Sequence, residues 1–242
     1  MKVLLVGGGG REHALGWKIA QSPLLTKLYL ANGNPGLNQF GETTGAEPND
    51  IEAIVAQARR RSVDLVVVGP EGPLAAGLAD RLRAAGVACF GPSAAAARLE
   101  ASKSFMKDVA AAAGAPTARH ARFASPLPAR AFLDEIRPPY VVKADGLAAG
   151  KGVVVAATRR EAEDAIDRML GGGLGAAGSV ILIEEFLEGE EASFFAICDG
   201  ARALPMIGVQ DHKRAFDGDR GPNTGGMGTY SPAPVFTPEL VE

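Results

Sequence analysis

Two lysines bracket a glycine-rich loop near the middle of the chain. Lys143 closes the run YVVK, Lys151 lies in AGKG, and Gly146, Gly150 and Gly152 stand between or beside them. Glycine backbones approach a ligand closely and offer N–H groups to phosphate oxygens, and the two ammonium groups add positive charge. The pattern favours a loop that binds phosphates, with a flexible surface hairpin as the alternative.

The spacing of this loop excludes a P-loop. A P-loop has four residues between its glycines, then Lys followed by Ser or Thr, and then a helix. Here three residues separate Gly146 from Gly150, Gly152 follows Lys151, and the β-type run Val153–Val155 comes next. The sequence therefore predicts a hairpin whose turn covers phosphates.

A second glycine run follows the first predicted strand. The apolar segment Val3–Val6 leads into Gly7–Gly10, and a helical pattern begins at Arg11. Strand, glycine turn and helix form the first unit of a doubly wound α/β sheet, in which the helix N-terminus attracts anions. A dinucleotide site needs a further glycine where Glu12 or His13 stands, so NAD binding is disfavoured. A phosphate site aided by Arg11 stays open.

Strands alternate with helices through the first hundred residues. This alternation predicts a parallel sheet with helices on both faces, and ligands bind such sheets at the carboxyl ends of the strands. At one of these ends, Glu71 either meets a ligand or stabilises a helix N-terminus. The further predicted strands are Lys27–Ala31, Val63–Val68 and Val87–Phe90, and the helices are Asp50–Arg61, Leu74–Ala85 and Ala94–Ala113.

After the first hundred residues, the chain continues on the predicted helix that carries Lys103. This lysine either reaches back to the phosphates or is a solvated helix residue. In the predicted strand Val180–Leu187, the acidic residues Glu184 and Glu185 follow an apolar run. This segment forms either a binding slot for adenine or a solvated edge. Glu190 and Glu191 come after it, and they either bind the ribose hydroxyls or are solvated. The other predicted elements are strand Thr117–Phe123, helices Pro126–Ile136 and Glu161–Leu170, and a hairpin of Ala192–Asp199 with Ala201–Val209.

A charged cluster and a glycine-rich loop stand near the end of the sequence. Gln210–Arg214 reads QDHKR, and Gly221–Gly228 reads GPNTGGMG. Lysine and arginine bind phosphate and carboxylate groups, so these segments predict a polar ligand site, with a mobile surface loop as the alternative. His212 is interpreted as structural, because no second histidine lies near it in sequence.

Composition disfavours several other classes of protein. A net charge of −3 over 242 residues is not that of a general nucleic-acid binder. Cys89 and Cys198 lie in apolar runs and are expected to be small buried thiols in a reducing compartment. The N-terminus is predicted to be a strand rather than a signal peptide, and no segment reaches the length of a membrane span. We therefore expect a soluble cytoplasmic protein without nucleic-acid or membrane partners.

A series of motifs in a fixed order resembles one family. The motifs are GGGGREHA at Gly7–Ala14, GPEGPL at Gly69–Leu74, SKSFMKD at Ser102–Asp108, KADGLAAGKGV at Lys143–Val153, IEEFLEGEEASFF at Ile183–Phe195, and QDHKR with GPNTGGMGTYSPAP within Gln210–Pro234. With them the chain resembles the glycinamide ribonucleotide synthetases, ATP-grasp ligases of purine biosynthesis. The resemblance implies an α/β fold with a doubly wound domain over 1–100 and a helix over 101–117 that enters the ATP-grasp core. A lid over 118–187 and part of a central antiparallel sheet over 188–242 follow.

The resemblance also implies a reaction and its site residues. ATP would phosphorylate glycine, and the amine of 5-phosphoribosylamine would attack the acyl phosphate to give glycinamide ribonucleotide. ATP would be held at its phosphates by Lys103, Lys143, Asp145, Gly146, Gly150, Lys151 and Gly152, at adenine by Glu184, Glu185, Phe186 and Leu187, and at ribose by Glu191. The catalytic residues would be Asp211, Lys213 and Arg214, and substrates would be bound by Gly9, Gly10, Arg11, Asn223, Thr224, Gly225 and Gly226.

Members of the family continue past the position of Glu242, and that continuation carries the residues that bind Mg²⁺. Asp217 and Asp219 are not convincing substitutes for them. The sequence therefore predicts that this chain holds ATP, is a partial enzyme on its own, and packs incompletely where the further strands would dock. Another ATP-grasp carboxylate–amine ligase and a non-catalytic ATP-binding module are the alternatives, and the oligomeric state is open.

Overall fold

The computed structural model describes residues 1–148, 152–218 and 220–241, apart from the side chains of Asn223 and Val241. The chain divides into two compact units, Met1–Glu185 and Phe186–Glu242. The first unit contains one parallel and one antiparallel sheet, and the second contains two-stranded pairs. Among the described helices, none combines the length and the apolar character that a membrane crossing requires.

The first sheet is parallel, as the alternation of elements predicted. Its strands are β1 (Lys2–Val6), β2 (Lys27–Ala31), β3 (Glu42–Thr43), β4 (Leu65–Val68) and β5 (Ala88–Phe90), in the spatial order β3-β2-β1-β4-β5. At the centre, Val6 pairs with Ala31 on one side and Val68 on the other. The turns that follow these strands, including Gly7 and Gly69, consequently lie at the same edge of the sheet.

Both faces of this sheet are buried, which confirms the doubly wound architecture. Successive side chains of β1 point to opposite faces, so Val6 packs in one core and Leu5 in the other. Ile54 and Leu82 cover the first core, and Ile19 packs against the second. The helices of this part are α1 (Gly10–Ile19), α2 (Ile51–Arg60), α3 (Glu71–Ala75), α4 (Leu78–Ala84) and α5 (Ala94–Ala101).

Two predicted helices are wrong as single elements. The helix expected over Leu74–Ala85 begins earlier, at Glu71, and is interrupted before α4 by Gly77, whose φ of 92° is left-handed. The helix expected over Ala94–Ala113 is broken at Ser102, which is extended at φ −137° and caps the next helix through a bond from the Phe105 N–H. In both cases one residue leaves the helical conformation and a new helix begins directly after it.

The second sheet is antiparallel and contains the predicted hairpin. Its strands are β6 (His120–Phe123), β7 (Tyr140–Ala144), β8 (Val153–Ala156) and β9 (Ile181–Glu185), in the order β6-β9-β7-β8. One face carries Val142 and Ile183 into a core with α7 (Pro126–Phe132) and α8 (Arg159–Arg168). By strand alternation, the opposite face presents Val141, Lys143, Val153, Val155, Leu182 and Glu184, and we name it the outer face. Helix α6 (Lys103–Ala112) contacts this face through Lys107.

The second unit consists of short antiparallel pairs. The predicted hairpin around Asp199-Gly200 is confirmed, since the Asp199 carboxylate accepts from the N–H groups of Ala201 and Arg202 and Gly200 has φ 95°. The elements are β10 (Ala196–Cys198) with β11 (Ala203–Pro205), β12 (Gln210–Asp211) with β15 (Thr229–Tyr230), β13 (Arg214–Phe216) with β14 (Arg220–Asn223), and α9 (Pro238–Val241).

The two cysteines differ in their surroundings. Cys89 is half-buried on β5, and burial raises the pKa of its thiol. Cys198 is exposed on β10, so the expectation that it is a buried thiol is wrong. An apolar sequence run around a cysteine does not bury it when the strand is part of a two-stranded pair with open faces.

Candidate functional site

Lys143, the first lysine of the glycine loop, lies on the outer face near the end of β7. Its Nζ donates to Glu184 Oε2 at 3.0 Å. The contact follows from the strand register, because Val141 stands opposite Glu184 and Lys143 is two residues further along the same face. The Lys143 side chain is 28% exposed, so part of it remains accessible to a ligand.

A second lysine, Lys107 on α6, shares the same carboxylate oxygen. Its Nζ donates to Glu184 Oε2 at 3.1 Å and to Thr117 Oγ1 at 2.6 Å. Lys107 and Glu184 are each 4% exposed. Among the described residues, Glu184 Oε1 has no hydrogen-bond partner although it is buried. One carboxylate therefore lies between two ammonium groups, away from bulk water.

Lys107 is not among the site residues predicted from the sequence. The resemblance assigned Glu184 to adenine, which stays a prediction, and gave no role to the lysine that pairs with it. A signal was present, because Lys107 follows Lys103 by four residues and therefore lies on the same helix face. What the sequence could not supply was the pairing with Glu184, which lies 77 residues further along the chain.

Asp145, the first loop residue after β7, joins the loop to α6. Its Oδ1 accepts the N–H of Ser104 at 2.6 Å, and Oδ2 accepts the hydroxyl of Ser102 at 3.1 Å. The Asp145 carbonyl also accepts the N–H of Lys103 at 3.2 Å. A carboxylate at a helix N-terminus satisfies open N–H groups and opposes the positive end of the helix dipole. Asp145 therefore has a positioning role that its predicted phosphate role did not include.

Lys103 lies at the first position of α6, beside the loop. Its Nζ is 3.4 Å from the carbonyl oxygen of Gly146. Burial lowers the pKa of Lys103, the charge of Asp145 opposes this effect, and the nearby charge of Lys143 adds to it. An anionic ligand would stabilise the charged form of an ammonium group that burial has removed from water. The structure thus brings Lys103, Lys143 and Asp145 together, as their predicted roles require.

Replacing Asp145 with alanine is expected to lower the free energy of unfolding by about 1–3 kcal/mol, because the N–H of Ser104 loses its acceptor at a helix start. Urea unfolding followed by circular dichroism measures the change. The matched control is Asp108→Ala on the same helix, where an exposed pair with Arg122 at 3.2 Å is lost and a change of only about 0.5 kcal/mol is expected. Equal losses in the two variants would contradict the positioning role of Asp145.

The described loop glycines are required for packing. A Cβ atom at Gly146 would stand 2.9 Å from Ala177 Cα, and one at Gly152 would stand 2.7 Å from Ala148 Cβ. The Gly146 N–H already donates to the Ala177 carbonyl at 3.2 Å. Gly150 and Lys151, which were also predicted to hold phosphates, lie outside the described residues, as does Asp219.

The predicted adenine segment continues from the end of β9. The N–H of Glu185 donates to the Arg119 carbonyl at 3.0 Å, and Glu185 Oε1 accepts the Arg119 N–H at 2.8 Å. Both contacts connect the end of β9 to Arg119, the residue before the edge strand β6. Phe186 and Leu187, which begin the second unit, are exposed.

Lys213 is the centre of the charged cluster in the second unit. Its Nζ lies 2.8 Å from Glu191 Oε1 and 3.0 Å from Asp211 Oδ2. The bond to Glu191 is the main cause that raises the pKa of Lys213, and Asp211 adds to it. Asp211 and Lys213, predicted as catalytic, are therefore brought together with the predicted ribose ligand Glu191.

The glycine-rich segment of the second unit folds against this cluster. The N–H of Thr224 donates to the Lys213 carbonyl at 3.0 Å, and Thr224 Oγ1 accepts the N–H of Gly226 at 3.2 Å. Arg214 is exposed and donates to the Gly221 carbonyl at 3.2 Å. Gly225 lies between Thr224 and Gly226, with a left-handed φ of 68°. The side chain of Asn223 lies outside the described part of the chain.

The N-terminal glycine turn is organised by Glu12, which is 3% exposed. Its carboxylate accepts the N–H of Gly9 at 2.8 Å and the Nε–H of Arg11 at 2.7 Å. Arg11 Nη2 also lies 3.8 Å from Glu71 Oε2, so this guanidinium stands between two carboxylates. The Gly9 N–H is thus already occupied by Glu12, whereas the Arg11 side chain is 57% exposed and accessible to a ligand at this turn.

A metal site is not formed by the described residues. Within them, no group of three or more His, Cys, Asp or Glu side chains is arranged to hold a metal ion. No ligand of Mg²⁺ is assigned to these residues.

The two family models that match divide the chain at residue 100. Residues 1–100 match the model described as phosphoribosylglycinamide synthetase, N domain, and residues 101–242 match the model of its ATP-grasp (A) domain. The chain belongs to the phosphoribosylglycinamide synthetase family. This membership, together with the observed sheets, confirms the predicted resemblance and the α/β fold class that it implied, whereas the bounds of the lid and of the central-sheet segment stay predictions.

Individual relatives agree with the family assignment. The chain is 59% identical over 241 residues to a phosphoribosylamine–glycine ligase of Brucella melitensis, and it spans 56% of that curated relative's length. A crystal structure of the ligase of this name from Thermotoga maritima has a TM-score of 0.81 and 33% identity, with 96% of this chain and 56% of that chain covered. The fold is also similar to a biotin carboxylase domain from Hydrogenobacter thermophilus, at a TM-score of 0.77 and 18% identity, with 98% and 54% covered.

Proposed function

We propose that this chain provides nucleotide-binding and substrate-binding residues for the ATP-dependent ligation of glycine to 5-phosphoribosylamine. The proposal rests on one observation above all: Lys103, Lys143 and Asp145 converge beside a glycine loop in a chain of this family. The names of the relatives supply the reaction class and the substrates.

ATP fits the outer face on chemical grounds. Lys103 and Lys143 would neutralise phosphate charge. The side chains of Val153 and Val155 are 46% and 47% exposed on the same face of the sheet, and they offer an apolar surface for the flat side of a base. These valines were not among the predicted site residues, although their alternation with Lys143 along the sheet was a signal for them. The adenine and ribose roles of Glu185, Phe186, Leu187 and Glu191 remain predictions from the resemblance.

The reaction proceeds by transfer of the γ-phosphoryl group to the glycine carboxylate, with release of ADP. The amine of phosphoribosylamine then attacks the acyl carbon, the amide bond forms, and phosphate leaves. Catalysis of such transfers depends on positioning and on the neutralisation of charge more than on a protein nucleophile. The ammonium group of Lys213 is fixed between the carboxylates of Asp211 and Glu191. We assign Lys213, together with Arg214 and the backbone of Thr224–Gly226, to the binding of the acyl phosphate. Mg²⁺ would accompany ATP and help to neutralise the phosphate charge.

Two measurements test this function. Isothermal titration is expected to show ATP binding in preference to GTP and NAD. ADP release is expected to require both glycine and phosphoribosylamine. ADP release with a different carboxylate and amine from a panel, but not with glycine, would identify another ATP-grasp ligase. ATP binding without ADP release for any pair would agree both with the partial enzyme predicted from the sequence and with a non-catalytic ATP-binding module, and no ATP binding would overturn the proposal.

A further inference from the structure

Lys107 carries a charge in a place where an apolar residue would be less costly. It is 4% exposed on α6, and its ammonium is bonded to Thr117 Oγ1 and Glu184 Oε2. A buried ion pair often contributes no more stability than apolar side chains of the same size. The presence of Lys107 is therefore better explained by its electrostatic effect on the Glu184 carboxylate than by a contribution to the stability of the fold.

Two ammonium groups donate to the same carboxylate oxygen. Lys107 and Lys143 both donate to Glu184 Oε2, at 3.1 Å and 3.0 Å. Two ammonium groups and one carboxylate leave a net charge of +1. Without Lys107, the pair of Lys143 and Glu184 would be neutral, and Lys143 would have little attraction for phosphate.

We propose that Lys107 is a positioning residue that holds Glu184 and keeps the charge of Lys143 available for the phosphates of a nucleoside triphosphate. Lys107 itself stays buried against Thr117, whereas Lys143 is the partly exposed member of the cluster. The inference rests on the proposed function, because it requires ATP to bind at Lys143.

Isothermal titration of ATP and of adenosine into the chain separates the charge effect from a structural one. Lys107→Met is expected to weaken ATP binding about tenfold, as for the loss of one charge near a phosphate, and adenosine binding by less than about threefold. The double variant K107M/E184Q has the same cluster charge as the wild type, +1. It is expected to recover the wild-type ratio of ATP to adenosine affinity to within about threefold.

Lys18→Met on α1 is the control for the loss of a surface lysine, and no change in the ratio is expected there. An unchanged ratio in K107M, or a lowered ratio that the double variant does not restore, would overturn the inference. If K107M does not fold, the double variant decides, because removal of both buried partners is better tolerated than removal of one. In that case a wild-type ratio supports the inference and a lost ATP preference overturns it. A wild-type chain that does not bind ATP would overturn the proposed function itself, and the inference with it.

Discussion

Replacing Gly8 with alanine is expected to lower the free energy of unfolding by about 2–3 kcal/mol. The reason is steric, since a Cβ atom at this position would stand 2.4 Å from the carbonyl oxygen of Gly33. That backbone cannot move away freely, because the Asn34 side-chain amide donates to the Gly8 carbonyl at 3.0 Å and holds the two turns together. Urea unfolding followed by circular dichroism gives the difference through the shift in midpoint.

The same glycine run contains the matched control. A Cβ atom at Gly10 would meet no described atom within 4 Å, and Gly10 is the first residue of α1. Gly10→Ala is expected to change the free energy of unfolding by no more than about 0.5 kcal/mol. If both variants lost stability equally, the close approach of Gly8 to Gly33 would not be the cause.

Replacing Lys143 with methionine is expected to weaken ATP binding by about 10- to 100-fold, the range for loss of a hydrogen bond to a charged group. Lys143 is the partly exposed member of the Lys107–Glu184–Lys143 cluster, so its removal takes away the ammonium group of that cluster that a phosphate can reach. Adenosine has no phosphate, and its affinity is expected to change by less than about threefold. Isothermal titration with both ligands measures the two effects.

Lys18→Met again serves as the surface control, because Lys18 on α1 is a lysine of the same unit that no proposed role involves. Equal losses of ATP and adenosine affinity in Lys143→Met would point to a distorted sheet rather than to a lost phosphate contact. An unchanged ATP affinity would remove Lys143 from the proposed nucleotide site.

The regular elements of the fold could be predicted because each has a strong local signal. Strand Lys27–Ala31 has the predicted bounds, and Asp50 caps α2 through the Ala53 N–H. The helix breaks at Gly77 and Ser102 were not predicted, because alanine-rich surroundings favour helix at both places. Each break nevertheless has a local cause: Gly77 adopts a left-handed φ, which suits glycine, and the Ser102 side chain caps α6.

The residues of the candidate site were predictable as types but their contacts were not. Lys103, Lys143 and Asp145 carry a recognisable pattern of charge and glycine. The pairing of Lys107 with Glu184 depends on where α6 lies against β9, and the role of Glu12 in the N-terminal turn depends on burial of its carboxylate. Long-range packing of this kind leaves no periodic trace in the sequence.

The bonds of Asp145 also govern how the molecule opens. The backbone of Lys103 and Ser104 and the side chain of Ser102 all donate to one residue at the end of β7. The first turn of α6 cannot fray without releasing the strand end, and the strand end cannot lift without uncapping the helix. The two segments therefore form one cooperative opening unit. Amide hydrogen exchange at Ser104 and Asp145 is expected to report a shared opening free energy, although the two residues are 41 positions apart in sequence.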